Sequence, residues 1–158
     1  MSWIQTYTGR KVDVTEGFSA DDVDIEDIAH ALSMQCRFGG HCEAFYSVAQ
    51  HSVHVAEVVS DWMGESGLAF EALLHDAAEA YLLDLPRPIK HAPALAEYRA
   101  LDKCVDRVVR AHFGLPETTS AEVKEADEIM LATEALALMK HKTNGWELRA
   151  RPIPKLIA

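Results

Sequence analysis

Ala69-Phe70-Glu71-Ala72-Leu73-Leu74-His75-Asp76-Ala77-Ala78-Glu79-Ala80 is the stretch on which the reading of the chain turns. Ala69, Ala72, Leu73, Asp76, Ala77 and Ala80 follow the i, i+3, i+4, i+7, i+8, i+11 series of one helix face, so Asp76 stands inside the stripe that faces the core. A buried carboxylate needs a cation or several hydrogen-bond donors. His75 is its neighbour, and Glu79 follows His75 by four residues and Asp76 by three, which puts all three on one broad face. This helix is expected from about Gly67 to about Leu83. The Asp84-Leu85-Pro86-Arg87-Pro88 stretch beyond it is expected to be extended, because two prolines cannot continue a helix.

Working outward, the helical period recurs on both sides. Asp24 is a plausible N-cap for a first helix with Ile25, Ile28, Ala29 and Leu32 on one face, stopping near Gly39-Gly40. A second is expected from about Glu43 to Met63, with Val48, Ser52, Val55 and Val59 in a stripe and His51 beside it. Leu95, Tyr98, Leu101, Val105, Val108 and Val109 trace a fourth that ends at Gly114 and Pro116. A fifth starts with the capping-box spacing of Thr119 and Glu122 and runs to about His141, before Asn144-Gly145. Its stripe takes in two acids, Asp127 and Glu134, among Val123, Ala126, Met130, Ala137 and Leu138. At the other end, Trp3 to Thr6 and Lys11 to Val14 flank Tyr7-Thr8-Gly9-Arg10, the pattern of a small hairpin that must pack on the body or on another subunit. The expected architecture is all-α: about five main helices over residues 25–141 with a hairpin extension at 1–20, all in one domain, 1–158.

With 158 residues, 49% hydrophobic and 25% charged, the chain reads as one ordinary globular domain; disorder, collagen and small disulfide scaffolds are excluded. Lys and Arg number 15 against 25 Asp and Glu, and the formal charge of −10 argues against general affinity for duplex nucleic acid. A small anion remains a fit if bases are concentrated locally. Cys36, Cys42 and Cys104 are odd in number and contain no CxxC pair, which argues against a disulfide framework or a zinc ribbon. No signal-peptide pattern and no apolar run of spanning length is present, so the expectation is a cytoplasmic protein without a membrane partner.

Three inward-looking segments thus supply His51, His75, Asp76 and Asp127. Imidazole nitrogens mixed with carboxylate oxygens suit a divalent ion such as Mn²⁺, Fe²⁺, Co²⁺ or Zn²⁺ with positions left for water and substrate. A bland reading stands beside each: a lone helical His is usually structural or solvated, and a buried Asp can cap a helix or pair with Arg. For Glu134 the structural role is favoured. His54 reads as a surface or supporting residue, and His30, His41, His91, His112 and His141 lack a partner pattern. Cys36, His41 and Cys42 offer too few soft ligands for a metal corner.

Val48-Ala49-Gln50-His51-Ser52, His75-Asp76-Ala77-Ala78-Glu79-Ala80 and Lys124-Glu125-Ala126-Asp127, in that order, closely resemble the HD-domain phosphohydrolases. The run from His75 to Asp84-Leu85-Pro86-Arg87-Pro88-Ile89-Lys90 is similar to the branch holding bacterial 5′-deoxynucleotidases and bacteriophage dATP triphosphohydrolases. The resemblance covers roughly residues 25 to 140 and implies an all-helical bundle with a metal between helices. It implies His51, His75, Asp76 and Asp127 as metal ligands, with Co, Mn, Zn and Mg all admissible. Glu79 matches the glutamate the family places beside the attacking water; a surface ion pair is the simpler alternative.

Arg37-Phe38 resembles the Arg-aromatic pair of this branch, with Phe where Trp is common. Arg37 with one or both of Lys90 and Lys124 is expected to neutralise phosphate, Phe38 to stack on base or sugar, and Asp84 to orient a sugar hydroxyl or, equally, to cap the Pro-containing loop; Arg87 stays undecided. The implied activity is metal-dependent hydrolysis of a small-molecule deoxynucleotide. The preferred reaction is dATP to deoxyadenosine and triphosphate; the alternatives are a 5′-deoxynucleotidase and a noncatalytic nucleotide or metal sensor. The family also implies a homo-oligomer, dimer or hexamer, in a bacterial cytoplasm or, for a phage protein, that of its host.

Overall fold

The computed structural model describes residues 3–140, 146–154 and 156–157. Among them, seven α-helical segments and one two-stranded hairpin occur in the order β1 (Ile4–Gln5), β2 (Lys11–Val12), α1 (Ile25–Met34), α2 (Val48–Glu57), α3 (Ala69–Leu73), α4 (Glu79–Leu82), α5 (Arg87–Lys90), α6 (Ala96–His112) and α7 (Ala121–Leu138). No helix of the described residues is long and apolar enough to cross a membrane.

The hairpin is antiparallel, Ile4 opposite Val12 and Gln5 opposite Lys11, and turns at Gly9, whose φ of 88° favours glycine. It packs on the body: Val12 and Val14 enter a cluster with Ile28 and Leu32 of α1, Val105 and Val109 of α6, and Leu74, Ala77, Ala78 and Tyr81. Thr8 secures it further, donating from its backbone N–H and its hydroxyl to buried Asp27 at 2.7 and 3.0 Å. A second cluster joins Val55, Val58 and Val59 to Ala72 and to Val123, Ala126 and Met130 of α7, with Ile153, Leu156 and Ile157 packed against it. The 69–82 segment therefore lies between two cores, Ala72 in one and Leu74 to Tyr81 in the other. His75 and Asp76 sit at that junction.

Several helix boundaries differ from expectation. α1 keeps its Asp24 N-cap, which accepts from the Glu26 N–H at 2.9 Å, but ends at Met34 rather than at the glycines. Gln35 turns extended, and Cys36 pairs with Ser47 in an isolated bridge. α2 starts at Val48 instead of Glu43 because Ser47 and Gln50 form a capping box, and it ends in a π-helical turn, Val58–Trp62. The expected continuous helix over 67–83 is interrupted at 74–78. There His75 Nδ1 donates to the Ala72 carbonyl at 2.7 Å, competing for an acceptor the helix ladder would use, and the backbone tightens into i→i+3 bonds.

The loop after α4 is extended only to Pro86. Pro88 then sits in the first turn of α5, where a missing N–H costs nothing. The N-cap position of α7 is Ser120 and not Thr119, and the Ser120 hydroxyl makes no capping bond. The Thr119 hydroxyl accepts from Arg110, and the Ser120 N–H donates to Glu71. α7 ends at Leu138, and the expected end at His141 and turn at Asn144-Gly145 lie outside the described residues.

Candidate metal centre and cleft

His51 projects from the first turn of α2 and is wholly buried. Its Nδ1 lies 2.6 Å from Glu134 Oε1, so a carboxylate fixes the ring with its proton on Nδ1 and a lone pair on Nε2. His75 is fixed the same way by the Ala72 carbonyl. The two Nε2 atoms face each other at 3.3 Å. Asp76 Oδ2 lies 3.2 Å from His75 Nε2 and 3.6 Å from His51 Nε2, and Asp127 Oδ1 lies 3.2 and 4.0 Å from His51 and His75.

His51, His75 and Asp76 bring one ligand atom each within 4.8 Å of one another, and Asp127 from a third segment reaches the two imidazoles, all of them lone pairs while the imidazoles are neutral. Separations near 3.2–4.0 Å are those of neighbouring ligands around one ion with bonds of about 2.0–2.2 Å, and nitrogen with carboxylate oxygen suits a divalent transition ion. The residues present fit such an ion; its identity follows from none of them.

The electrostatics agree. Burial and Arg37 both work against charging His51, yet Glu134 and Asp127 win and push its pKa up to about 9. Burial opposes ionisation of Asp76 and Asp127, but Asp76 is held well below the carboxylate range by His75, His51 and Arg37, and Asp127 is lowered by His51 and His75. The cluster holds its acids ionised and draws positive charge to itself.

Glu134 is two turns beyond Asp127 on the same face of α7, is fully buried, and accepts from Arg37 Nη2 at 3.1 Å as well as pairing with His51. The structural role favoured from its sequence position is the one it has. Arg37 is itself buried, with Nη1 3.8 Å from both Asp76 and Asp84. It is not a free phosphate receptor on a surface; it is held by Glu134 with one nitrogen turned toward the carboxylates of the cleft.

Glu79 opens α4, buried, with Oε1 3.8 Å from Lys90 Nζ and Oε2 without a hydrogen-bond partner. Burial first, then Asp76 and Asp84, push its carboxyl well above the usual range. Asp84 follows the unusual Leu83, whose φ is 90°, and burial raises its carboxyl too. Lys90 is paired with Asp102 at 3.1 Å. The alternative of a surface ion pair for Glu79 holds in part: it pairs with Lys90, but the side chain is buried in the cleft wall and not on the surface.

Asp76, Glu79, Asp84, Asp127, Arg37 and Lys90 all line one cleft of about 1210 Å³, as does Phe38. Lys124 does not: it is exposed and absent from the lining. The cleft-facing row of α7 runs from Asp127 to Leu131, and Lys124 is about 4.5 Å nearer the N-terminus with its side chain leaning further that way. Arg87 takes the flank instead, its Nη1 2.7 Å from Glu128 and Nη2 3.8 Å from Asp127.

Two contributors carried no sequence signal. Gln35 donates to the Glu79 carbonyl at 3.0 Å and accepts from the Asp84 N–H at 2.9 Å, bracing both ends of the α4 turn. Trp146 lines the cleft from the C-terminal segment, which lacks helical periodicity.

No family model matches the chain. The uncharacterized protein YfdR of Escherichia coli K12 is 46% identical over 134 residues, 85% of this chain and 71% of YfdR. The chain belongs to the YfdR family. An uncharacterized protein of Rhodobacter capsulatus is 36% identical over 130 residues, 79% of this chain and 65% of that protein. Among solved structures, the HD phosphohydrolase DatZ of cyanophage S-2L, bound to dA and one catalytic Zn²⁺, superposes with a TM-score of 0.53 at 22% identity, covering 72% of this chain and 69% of DatZ. That likeness gives this YfdR-family chain the HD phosphohydrolase fold.

Proposed function

We propose that this chain is a metal-dependent deoxynucleotide phosphohydrolase that cleaves dATP to deoxyadenosine and triphosphate. The observation that carries the reading is the convergence of His51, His75 and Asp76, with Asp127 3.2 Å from His51, at the wall of a cleft large enough for a nucleotide. When bound there, a divalent ion supplies Lewis acidity at the phosphoryl oxygen and acidifies water. Glu79, with one carboxylate oxygen free of partners, takes the proton of the attacking water. The Arg37 Nη1 edge, Lys90 and Arg87 meet phosphate oxygens, with Arg87 in the place the sequence reading gave to Lys124. Asp84 orients a sugar hydroxyl. DatZ, of the same fold, holds dA beside a catalytic Zn²⁺, which supports a deoxynucleoside as the organic half of the substrate.

A second reading, a 5′-deoxynucleotidase, is favoured by a separate observation. Among the described residues, all three Lys and Arg side chains lining the cleft already have carboxylate partners: Arg37 has Glu134, Lys90 has Asp102 and Arg87 has Glu128. That leaves less positive charge for a triphosphate than for a monophosphate.

Product analysis separates the readings. Metal-loaded protein is incubated with dATP, dGTP, ATP and dAMP, and nucleoside, monophosphate, phosphate and triphosphate are resolved. Deoxyadenosine with intact triphosphate from dATP is the expected result. Phosphate released from dAMP, with dATP untouched, moves the chain to the nucleotidases. Nucleotide binding without turnover across Mg²⁺, Mn²⁺, Co²⁺ and Zn²⁺ makes it a sensor and overturns the proposal.

A further inference from the structure

α7 ends at Leu138, whose carbonyl accepts from the Glu43 N–H at 2.9 Å, and beyond the helix the chain comes back to the cleft: Met139, Trp146 and Leu148 all line it. Beyond Leu148 the chain is tied down again. The Ile153 N–H donates to the Thr133 hydroxyl of α7 at 2.9 Å, and Ile153, Leu156 and Ile157 pack on the core cluster around Met130. Trp146 and Leu148 therefore line the cleft just before a segment that is anchored to the bundle at Ile153.

The Trp146 and Phe38 rings meet edge to face, centroids 5.8 Å apart at 65°. The two rings differ in what remains free. Phe38 is held in the left-handed region at φ 57°, uncommon for a residue with a side chain, and the Arg37 guanidinium carbon lies 5.5 Å from its centroid, within cation–π distance. One side of Phe38 is thus faced by a cation and another by the tryptophan. Trp146 has a single ring neighbour among the described residues and stays 38% exposed. An indole needed only for packing would bury itself against the apolar residues available nearby.

We propose that Trp146 is a specificity-determining residue, the surface on which the flat heterocycle of the substrate stacks, with Phe38 as the side wall that squares it. This rests on the deoxynucleotide reading above and deepens it: selectivity for a base-bearing phosphate ester lies in a segment outside the helical bundle. Stacking is tolerant of base identity because every base has a π-face, so Trp146 selects for a heterocycle and not for adenine as such.

The test compares the parent with Trp146→Ala and Trp146→Phe, all metal-loaded, by steady-state kinetics on the deoxynucleotide the parent turns over fastest. Titration of deoxyadenosine into a Trp3→Phe/Trp62→Phe background, where Trp146 is the sole indole, adds a readout independent of turnover. The expected result is a KM raised about tenfold or more in Trp146→Ala with kcat changed far less, rescue to within about threefold by Trp146→Phe, and saturable quenching of Trp146 emission by deoxyadenosine. Equal KM values in parent and Trp146→Ala, or emission unmoved by deoxyadenosine that calorimetry shows to be bound, overturn the inference and leave the phosphohydrolase reading standing. A parent that neither binds nor turns over any deoxynucleotide overturns both. Thermal melts of the two variants guard against misfolding, and the quenching experiment needs neither of them.

Discussion

Glu71 and Arg110 are buried as deeply as His51 and Glu134, each 3% exposed or less, yet the two groups are completed in different ways. Around Glu71, donors are supplied from inside. Oε1 receives Arg110 Nη1 and Nη2 at 3.5 and 3.3 Å and the Ser120 N–H at 2.8 Å, while Arg110 also reaches the Pro116 carbonyl and Thr119. That network ties α3 to α6 and to the first turn of α7, and it lines no part of the cleft. Around His51 the count runs the other way: Glu134 and Ala72 hold the Nδ1 protons of both imidazoles, and the facing Nε2 atoms beside ionised Asp76 and Asp127 take positive charge, a proton or an ion, from outside. The Glu71 network leaves Glu71 Oε2, Arg110 Nε and the Ser120 hydroxyl without hydrogen bonds, so it is not fully satisfied, but its charges are paired inside, Arg110 with Glu71 and Asp106; the His51 group instead leaves a shared deficit of positive charge at an open wall, which asks for a ligand.

The sharpest way to break that contrast is Asp76→Ala. Bound ion is expected to fall from about one per chain to roughly none, with turnover lost alongside it, measured by elemental analysis and the product assay on the same sample. Chelation of the parent is expected to lower its melting temperature, since an ion bound only to the folded state stabilises by about 2.7 kcal/mol at a hundredfold excess over its dissociation constant. The same chelator leaves Asp76→Ala unmoved. Full activity in Asp76→Ala would end the metal reading.

Arg110→Ala is the counterpart on the sealed side. It leaves Glu71 buried without its cation and is expected to cost about 3–5 kcal/mol, or roughly 2–4 °C of melting temperature per kcal/mol for a chain of this length. Folded protein that survives at low temperature still binds the ion. If Arg110→Ala lost ion and kept its melting point, the division between the two networks would be wrong.

Glu134→Gln acts between these extremes. The amide oxygen still accepts from His51 Nδ1, but the charge that makes Nε2 a stronger donor is gone and Arg37 loses its nearest ion partner. Ion affinity is expected to drop about 10–100-fold, read by competition with a chelating dye. Gln35→Ala is milder, removing two hydrogen bonds that brace α4 at about 1 kcal/mol each, seen as a few degrees in a melt.

What the sequence carried and what it did not follow from the same physics. The acids at 76, 127 and 134 were visible because each interrupts an apolar stripe, and period is a local property. The break at 74–78 was not, because it comes from the His75 imidazole taking the Ala72 carbonyl, a single bond that the 3.6-residue pattern ignores. The apolar repeat over 69–80 continues across the break unchanged. Gln35 was invisible because a lone amide has no periodic partner, and Trp146 because its segment has no period at all. The start of α7 was misread for a related reason: Thr119 had the right spacing for a cap, but Arg110 in the sealed network claimed its hydroxyl.

The smallest expected effect tests the one predicted site residue that the fold sends elsewhere. Lys124 and Asp127 are three apart, which reads as one face, and on an isolated helix the lysine would flank the carboxylate. In the fold, the cleft starts at Asp127 and proceeds toward the C-terminal end of α7, while Lys124 leans the opposite way into solvent. Arg87, brought from the turn of α5, lies against Asp127 and Glu128 where a lysine at 124 was expected. Lys124→Ala should therefore leave KM within about twofold, the range of an exposed surface change. Arg87→Ala should raise KM several-fold with kcat little altered, the signature of lost substrate binding, and the loss should shrink as salt rises because Arg87 is more than half exposed. The reverse order would mean that in solution the α7 lysine reaches the phosphate and the α5 arginine serves only Glu128, and the row of cleft residues on α7 would have to be extended one turn toward Ser120.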